Sequence, residues 1–408
     1  MNDKNVYIKE NLATPVAFGC DVAVAGGGVA GIAAALSAAR AGAKVALIER
    51  GFTLGGLATA GLVTIYLPLC DGKGRQVSFS LAEELLRLSV SEYCDGRRGY
   101  GNWLTDDTMH RSESDPRFEV NFNPHLFAIC AEKLLEREGV KILYGCYAVA
   151  APTENGRISA LICEGKSGRF AVKAKSYVDA TGDADVCFLS GEDTATFGQG
   201  NVLAAWYYGA GKNGYELFPL GVCDVPDEEK EKGAKSEKPL VSSRFTGLDD
   251  AEISKMISLS HDVILRDYRR RHAADESFEP ATIPSIPQIR MTRRINGVYV
   301  MGADETHREF ADSVGMVSDW RKRGPVYEVP FSTLCGKKVK NLLAAGRCTS
   351  VTDGLWDVMR VIPCCAVTGE AAGLAAAIAD DFSSIDVSAL QAGLSERGVK
   401  LHEKELTR

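Results

Sequence analysis

One stretch, residues 21–62, limits the fold of this chain more than any other part of its sequence. A short apolar run leads into a turn that contains Gly26, Gly28 and Gly31, and an alanine-rich segment follows the turn. A second apolar run then ends at Glu49. The order of these segments predicts a strand, a tight turn, a helix and a strand, which form the βαβ unit of a parallel sheet. The chain is therefore expected to be an α/β protein with a Rossmann-like domain.

The residue types in this turn suit the binding of a dinucleotide. Gly26 permits the tight turn, and Gly28 has no Cβ that would keep a pyrophosphate away from the backbone. Gly31 lets the helix lie close to the sheet, and the N–H groups at the helix N-terminus can hold phosphates. Glu49 can accept hydrogen bonds from ribose hydroxyls. The predicted dinucleotide contacts in this unit are Gly26, Gly28, Val29, Ala30, Gly31, Glu49 and Arg50.

The residues after Glu49 distinguish between dinucleotides. An NAD-binding domain would normally continue into another helix, but a second glycine pair, Gly55 and Gly56, follows the acid here. This pattern resembles the glutathione reductase-like flavoproteins, in which the chain passes beneath FAD. Within that superfamily the chain is similar to FAD-dependent oxidoreductases that are distantly related to fumarate reductase and succinate dehydrogenase flavoproteins. The resemblance covers most of the chain and implies FAD contacts from Gly55, Gly56, Leu57, Ala58 and Thr59.

The same resemblance predicts how FAD is attached. In some relatives a histidine shortly after the glycine pair binds FAD covalently. Leu57, Ala58 and Thr59 occupy these positions in this chain. We therefore expect FAD to be bound noncovalently.

Two further segments resemble parts of the superfamily that close around the cofactor. The run from Val140 to Ala150 is expected to form a strand of the nucleotide sheet, and the resemblance implies an adenine contact near Ala148. An apolar run that leads into Ala180, Thr181 and Gly182 resembles the strand and turn that cover the cofactor. These three residues are therefore predicted to contact FAD.

The chain is expected to return to the cofactor near its end. An apolar strand leads to Gly346 and Arg347, and Ile362 and Pro363 begin a helix rich in alanine and glycine. In similar flavoproteins this helix points its N-terminus at the flavin, where negative charge gathers on reduction. Many relatives have an aspartate at the position of Arg347, which binds the ribityl chain. That contact must therefore differ or be absent in this protein.

Residues 284–300 contain an unusual density of arginines in a strand-like segment, namely Arg290, Arg293 and Arg294. In the resembling family, paired arginines precede a strand beneath the active site. Guanidinium groups bind carboxylates and stabilise negative charge on a reduced flavin. Arg290 is accordingly a candidate catalytic residue. The alternative is that these arginines form ion pairs with nearby acids, of which the candidates are Asp304, Glu305 and Asp312.

Two other residues are candidates for catalysis. Arg360 precedes the last glycine-rich helix, where fumarate reductase-like flavoproteins have an arginine that holds a substrate carboxylate. An FAD contact or a structural ion pair would explain Arg360 equally well. His307 follows an acidic turn in the region expected to bind the substrate. No other general acid or base stands out from the sequence.

Length and composition agree with a flavoprotein of two intertwined domains. The chain has 408 residues, of which 45% are hydrophobic and 25% charged, and its net charge of −7 does not favour nucleic acid. We expect residues 1–190 and 331–408 to form the FAD-binding domain, with cap elements around 62–125. Residues 191–330 are expected to form an inserted α+β substrate domain with a mixed sheet. Segments 94–117 and 224–239 are expected to be exposed loops.

The N-terminus and the apolar stretches bear on the location of the protein, and the cysteines bear on metal and redox sites. The polar N-terminus lacks the pattern of a signal peptide, and the apolar stretches are interrupted within about one span length, so we expect a cytoplasmic protein without a membrane anchor. Twelve cysteines are present without a CxxC pair, which argues against a zinc or iron–sulfur site. The adjacent Cys364 and Cys365 are interpreted as buried residues at a helix start rather than a redox pair.

The predicted function is transfer of a hydride between flavin N5 and a small organic substrate, which the arginines suggest could be anionic. An external electron acceptor or donor would complete the reaction. A flavin monooxygenase that uses NAD(P)H is the nearest alternative. A noncatalytic flavin-binding protein and an NAD-dependent dehydrogenase are the others.

Overall fold

The computed structural model describes residues 8–92, 119–221 and 238–406. The loop predicted over residues 94–117 lies outside the described residues, as does nearly all of the loop predicted over 224–239. The described part contains both helices and strands, and its largest sheet is mainly parallel. The chain is therefore an α/β protein, as predicted.

The secondary structure elements are numbered here in chain order. The strands are β1 (Val16–Ala25), β2 (Val45–Glu49), β3 (Ile65–Tyr66), β4 (Val120–Asn121), β5 (Lys141–Tyr144), β6 (Tyr147–Ala150), β7 (Thr153–Glu154), β8 (Arg157–Ile158), β9 (Leu161–Gly165), β10 (Gly168–Asp179), β11 (Thr194–Thr196), β12 (Tyr207–Gly211), β13 (Gly214–Phe218), β14 (Glu279–Thr282), β15 (Arg293–Ile295), β16 (Ser313–Ser318), β17 (Val326–Pro330) and β18 (Leu342–Ala344). The α-helices are α1 (Val29–Arg40), α2 (Leu81–Val90), α3 (Pro124–Arg137), α4 (Asp185–Leu189), α5 (Asp250–Ala274), α6 (Asp353–Met359), α7 (Ile362–Ile378) and α8 (Val387–Glu396).

The largest sheet has the strand order β5, β2, β1, β10, β9 and β6, and β18 also pairs with β10. Strands β5, β2, β1, β10 and β18 are parallel to one another, whereas β9 and β6 continue the sheet with antiparallel pairs. β1 and β2 are the two strands of the predicted βαβ unit, and α1 is its helix. The carboxyl ends of β1, β2, β10 and β18 therefore lie at one edge of the sheet.

Strand β10 is longer than the sequence pattern indicates. The sequence predicts one strand over Phe170 to Ala174 and another that leads from Tyr177 into Ala180, but a single strand runs from Gly168 to Asp179. Lys173 and Lys175 are exposed, and the backbone of this part of β10 pairs with β1. The backbone pairing holds the strand together where the side chains are polar.

Close packing between α1 and α7 supports the sheet from one side. Residues Val29 to Ala38 of α1 are all buried. A Cβ at Gly369 would collide with the carbonyl oxygen of Ala30, and a Cβ at Gly373 would collide with that of Ala34. The two glycines of α7 therefore allow the backbones of the two helices to touch.

The strand predicted from Val140 to Ala150 is two strands in the structure. The chain bends at Gly145, which has φ +63°, and β6 then pairs with β9 rather than with β2. The backbone N–H of Gly145 donates to Gly51 O at 3.0 Å, and that of Cys146 donates to Glu49 O at 3.1 Å. These bonds attach the bend to the end of β2, where the acid of the predicted nucleotide site lies.

A second region of the molecule has its own small core around α5. The sequence predicts a helix from Leu248 to Ala273, and the structure has it at Asp250–Ala274. The Asp249 side chain accepts a hydrogen bond from Glu252 N at 2.8 Å. The helix packs on an antiparallel sheet of β13, β12 and β14. We call α5 and these three strands the α5 region.

The sequence predicts a loop between Cys348 and Arg360, but the structure has a helix there. Helix α6 occupies residues Asp353–Met359, and all of its residues except Asp353 are buried. In the described part of the chain, no single helix has the length and apolarity needed to cross a membrane. The bent pair α6 and α7 meets those two criteria only when its members are taken together, with an angle of 89° between them.

Candidate active site and cofactor pocket

A cavity of about 630 Å³ opens at the carboxyl edge of the large sheet. It extends from the glycine turn between β1 and α1 to the first turn of α5 and to the segment of residues 285–289. Most of the residues predicted to contact the cofactor line this cavity. They are Gly26, Gly28, Val29, Ala30, Glu49, Arg50, Gly55, Gly56, Leu57, Ala58, Ala148, Ala180, Thr181, Gly182, Arg347 and Ile362.

Four predicted cofactor residues do not line the cavity, and each has a packing contact instead. A Cβ at Gly31 would collide with Gly26 O, and a Cβ at Gly346 would lie 2.7 Å from the Ala30 Cβ. The buried Thr59 hydroxyl donates to Leu54 O. Pro363 lies in the buried first turn of α7. These residues shape the turns that surround the cavity.

The first glycine turn is open where a phosphate would bind. Gly28 has φ −66° and ψ 179°, and an ideal Cβ at this residue has no other atom within 4 Å. No side chain caps the N-terminus of α1 at Gly28. The N–H groups of the first turn of α1 therefore face a space that can hold an anionic diphosphate.

Glu49 is held in place by backbone donors. Its carboxylate accepts hydrogen bonds from Gly27 N and Gly51 N, both at 2.6 Å, and the residue is buried. Each carboxylate oxygen retains a second lone pair, which a ribose hydroxyl can use. The charge and orientation of Glu49 thus suit the ribose of a dinucleotide.

The second glycine pair is attached directly to the first turn. Gly55 N donates to Gly27 O at 2.8 Å, and Gly55 has φ +100°. A Cβ at Gly56 would lie 3.3 Å from the Gly28 Cα. The arm that contains Leu57 and Ala58 is thereby fixed across the cavity from α7.

Arg347 links the cavity to the segment of residues 285–290. Its Nη1 atom donates to Ile289 O at 2.9 Å and to Arg290 O at 2.7 Å. Its Nη2 atom lies 3.4 Å from Asp183 Oδ1. The arginine that replaces the aspartate of many relatives therefore supports a wall of the cavity by bonds to backbone carbonyls.

Asp183 and Asp185 are site residues that the sequence interpretation did not include. Asp183 accepts from the Thr292 hydroxyl at 2.8 Å and lies 3.8 Å from Arg50. Asp185 pairs with Arg293 at 2.6 Å. Burial raises the pKa of Asp185 to about 6, with a smaller contribution from Asp183. Both acids directly follow the predicted turn at Gly182, and that position could have indicated them.

The structure separates the three candidate catalytic residues. Arg290 is buried outside the lining of the cavity, where its Nη1 donates to Gln288 O at 3.0 Å and its guanidinium lies 5.2 Å from the centre of the Trp206 ring. Arg360 lines the cavity and pairs with Asp357. His307 does not line the cavity, and its half-exposed ring lies 2.8 Å from a carboxylate oxygen of Glu403.

The ion pairs of the other arginines in this segment also differ from those considered. Arg293 pairs with Asp185 and Arg294 pairs with Asp353 at 2.9 Å. The predicted partners were acids close in sequence, whereas the observed partners come from α4 and α6. Tertiary folding brings these distant carboxylates to the arginines.

Cys364 and Cys365 are buried thiols in the first turns of α7, as expected for buried residues at a helix start. Cys365 lines the cavity, and its Sγ donates to Arg360 O at 3.3 Å. Burial raises the pKa of Cys365 to about 11. The thiol is therefore protonated at neutral pH and is a poor nucleophile.

With this geometry in place, comparison with known proteins identifies the class. The family model of FAD-dependent oxidoreductases matches residues 21–203 and 219–394. The protein belongs to this family, and it is an oxidoreductase whose cofactor is FAD. The open turn at Gly28, the second glycine pair and the oriented Glu49 fit that cofactor.

Individual relatives are more distant. A probable electron transfer flavoprotein-quinone oxidoreductase from Escherichia coli is 31% identical over 153 residues, which span 35% of this chain and 32% of that protein. A 3-ketosteroid-Δ4-(5α)-dehydrogenase from Rhodococcus jostii is 14% identical, with a TM-score of 0.40 and coverage of 90% of this chain and 98% of that chain. A geranylgeranyl bacteriochlorophyll reductase-like protein from Thermoplasma acidophilum is 12% identical, with a TM-score of 0.45 and coverage of 93% and 82%.

Proposed function

We propose that this protein transfers a hydride between a small organic substrate and N5 of noncovalently bound FAD. One observation supports this proposal most directly: the cavity continues past the turns expected to bind FAD and reaches residues 285–289. The same cavity can therefore hold a dinucleotide and a substrate, with residues 285–289 as a second wall. FAD supplies the hydride acceptor or donor when it is bound. The protein supplies binding, orientation and charge.

The second wall is tied to the arm that follows the second glycine pair. Ser285 N donates to Ala60 O at 2.9 Å, and the Gln288 amide donates to Gly61 O at 2.5 Å. These bonds attach the wall of residues 285–289 to the arm. A substrate bound against this wall would be positioned next to the flavin, which is the main requirement for hydride transfer.

The start of α7 provides a charge for the reduced state of the cofactor. Ile362 lines the cavity, and no side chain caps the helix at Val361. The positive end of the helix dipole can therefore stabilise negative charge that gathers on the flavin ring. This role requires no titratable side chain.

We also propose the domain division that the sequence predicts. Residues 1–190 and 331–408 would bind FAD, and residues 191–330 would provide the substrate wall. The α5 region, with a hydrophobic cluster of its own, supports this division. An external electron acceptor or donor and a cytoplasmic location belong to the same proposal.

The proposal is tested by the visible spectrum of the purified protein before and after heat denaturation, followed by anaerobic titration with candidate hydride donors. We expect flavin bands, release of FAD into the supernatant, and bleaching by a small organic donor. Flavin that no donor reduces would support a noncatalytic role instead. Substrate-stimulated NAD(P)H oxidation with oxygen incorporated into the product would identify a monooxygenase. A colourless protein that binds NAD but not FAD would contradict the assignment altogether.

A further inference from the structure

We propose that the substrate of this enzyme is a neutral and largely apolar molecule. It would bind between the arm of residues 55–61 and an apolar wall that we define as Leu248, Ile253, Ile286, Pro287 and Ile289. This inference rests on the proposed function, because it takes this wall as the substrate side of the cavity. It narrows the sequence-based expectation, which left an anionic substrate open.

The apolar wall is built from two segments that lock together. A Cβ at Gly247 would lie 2.7 Å from the Ile289 side chain, so the start of α5 rests directly on residue 289. Ile253 and Ile286 are partly buried and line the cavity, and Leu248 is 37% exposed. Leu57 and Ala60 of the adjoining arm also line the cavity. The arm and the wall thus both contribute hydrocarbon to the lining of the cavity.

The arginines that line the cavity in the described part of the chain are all near carboxylates. Arg293 pairs with Asp185 at 2.6 Å, and Arg360 pairs with Asp357. The other two, Arg50 and Arg347, lie 3.8 Å and 3.4 Å from Asp183. An anionic substrate would have to compete with these carboxylates for each guanidinium, which reduces its gain on binding.

The N-terminus of α5 does not provide an alternative binding site for an anionic substrate. A helix N-terminus attracts anions, but Asp249 already caps α5 and Asp250 lines the cavity. Glu252 accepts hydrogen bonds from Thr246 N and Gly247 N, both at 2.9 Å. Three carboxylates thus surround the helix end that faces the apolar wall, and they would repel an anion.

Matched neutral and anionic probes test this inference. We would measure the binding of hexanamide, octanamide, hexanoate and octanoate to the oxidised holoenzyme by equilibrium dialysis at neutral pH. Amide and carboxylate have nearly the same shape, so they differ mainly in charge. We expect each amide to bind about tenfold more tightly than its carboxylate. Each added methylene should increase amide affinity about fourfold, the effect of burying one methylene in an apolar site.

A charge introduced into the wall should reverse the preference. Ile286→Lys should weaken octanamide binding and make octanoate the tighter ligand. Ile283→Lys is the matched control, because Ile283 is 44% exposed and does not line the cavity. It should leave both affinities unchanged. The FAD content and melting temperature of both variants show whether they are folded.

The inference is overturned if wild-type holoenzyme binds the carboxylates as tightly as the amides, or binds neither amide. It is also overturned if Ile286→Lys and Ile283→Lys both keep the wild-type ratio of octanamide affinity to octanoate affinity. These results do not depend on turnover. Failure of the proposed function would be recognised separately from these binding results, because in that case no donor would reduce the flavin.

Discussion

Helix N-termini on the two sides of the cavity differ in whether a side chain caps them. On the cofactor side, α1 begins at Gly28 and α7 begins after Val361, and neither helix has a side-chain cap. On the other side, Asp249 caps α5. Uncapped N–H groups can bind an anionic cofactor, whereas capped ones are already satisfied. The comparison indicates that charge recognition belongs to the cofactor side and shape recognition to the apolar wall.

The largest effect is expected from a carboxylate placed in the open turn. Gly28→Asp should reduce FAD affinity about a thousandfold or more, because the side chain would occupy the phosphate space and repel the diphosphate. The backbone at Gly28 is extended, so the apoprotein should keep its melting temperature. FAD titration by fluorescence checks the first point and calorimetry the second.

Gly19→Asp serves as the control for that variant. Gly19 lies on β1, the strand that leads into the Gly28 turn, and a Cβ at Gly19 would make an ordinary contact with Lys173 O at 3.7 Å. FAD affinity should be unchanged. If Gly28→Asp binds FAD as tightly as Gly19→Asp does, the turn is not the phosphate site.

A buried acid on α7 should make the cofactor side more stable at low pH. Glu370 is 2% exposed and accepts from the Ser80 hydroxyl at 2.6 Å and from Leu81 N at 3.1 Å. Burial raises the pKa of Glu370 from 4.5 to about 7. The folded state therefore holds a proton that the unfolded state releases, so the free energy of unfolding should fall as pH rises from about 4.5 to 7.

The variant Glu370→Gln isolates this effect, because glutamine is neutral and its amide oxygen can still accept a hydrogen bond from Leu81 N. The fall with pH should be smaller in Glu370→Gln than in the wild type, by at most about 3 kcal/mol across this range. Denaturant unfolding of both proteins at a series of pH values measures it. Parallel pH profiles would show that the carboxyl is already ionised in the folded protein.

The α5 region should show the opposite pH dependence. Burial alone would raise the pKa of Asp267, but hydrogen bonds from Arg271, Arg270 and Tyr207 lower it below 3.8. The stability that this carboxylate contributes is present above its unfolded pKa and is lost as pH falls through its folded pKa. Asp267→Asn should lower the free energy of unfolding by about 2 kcal/mol at neutral pH and less in acid.

Circular dichroism during urea unfolding provides that measurement. Asp262→Asn on the exposed side of the same helix is the control and should have little effect. An equal loss in the two variants would show that the Asp267 bonds add no stability.

The smallest expected effect concerns the cap itself. Asp249→Ala should lower the free energy of unfolding by about 1 kcal/mol, since Glu252 N loses its acceptor. FAD affinity should not change, because the cap belongs to the α5 side of the cavity. A clear loss of FAD affinity in this variant would mean that the two sides are not as separate as the comparison indicates.

Much of the cofactor side could be predicted from residues alone. Gly26, Gly28 and Glu49 lie within one βαβ unit, and their spacing reflects contacts over a short stretch of chain. The sequence also predicts the start of α3, with Asn123 as the N-cap and Pro124 at the first helical position, and in the structure Asn123 accepts from His125 N at 2.9 Å. Local geometry leaves a local pattern in the sequence.

The partners of the arginines could not be predicted in this way. Arg293 meets Asp185 and Arg360 meets Asp357, so whether an arginine is available to a ligand depends on carboxylates that the fold brings to it. The bend at Gly145 also depended on tertiary structure, because backbone bonds to Glu49 and Gly51 place it.

The sequence by itself therefore determined the cofactor, the α/β class and the positions of the helix N-termini on the cofactor side of the cavity. These depend on backbone N–H groups, missing Cβ atoms and one acid within a single unit of the chain. Only the tertiary structure decided which side chains line the rest of the cavity. Leu248 and Ile286 have no distinguishing pattern along the chain, and they form a wall because α5 and residues 285–289 pack against each other and against the arm.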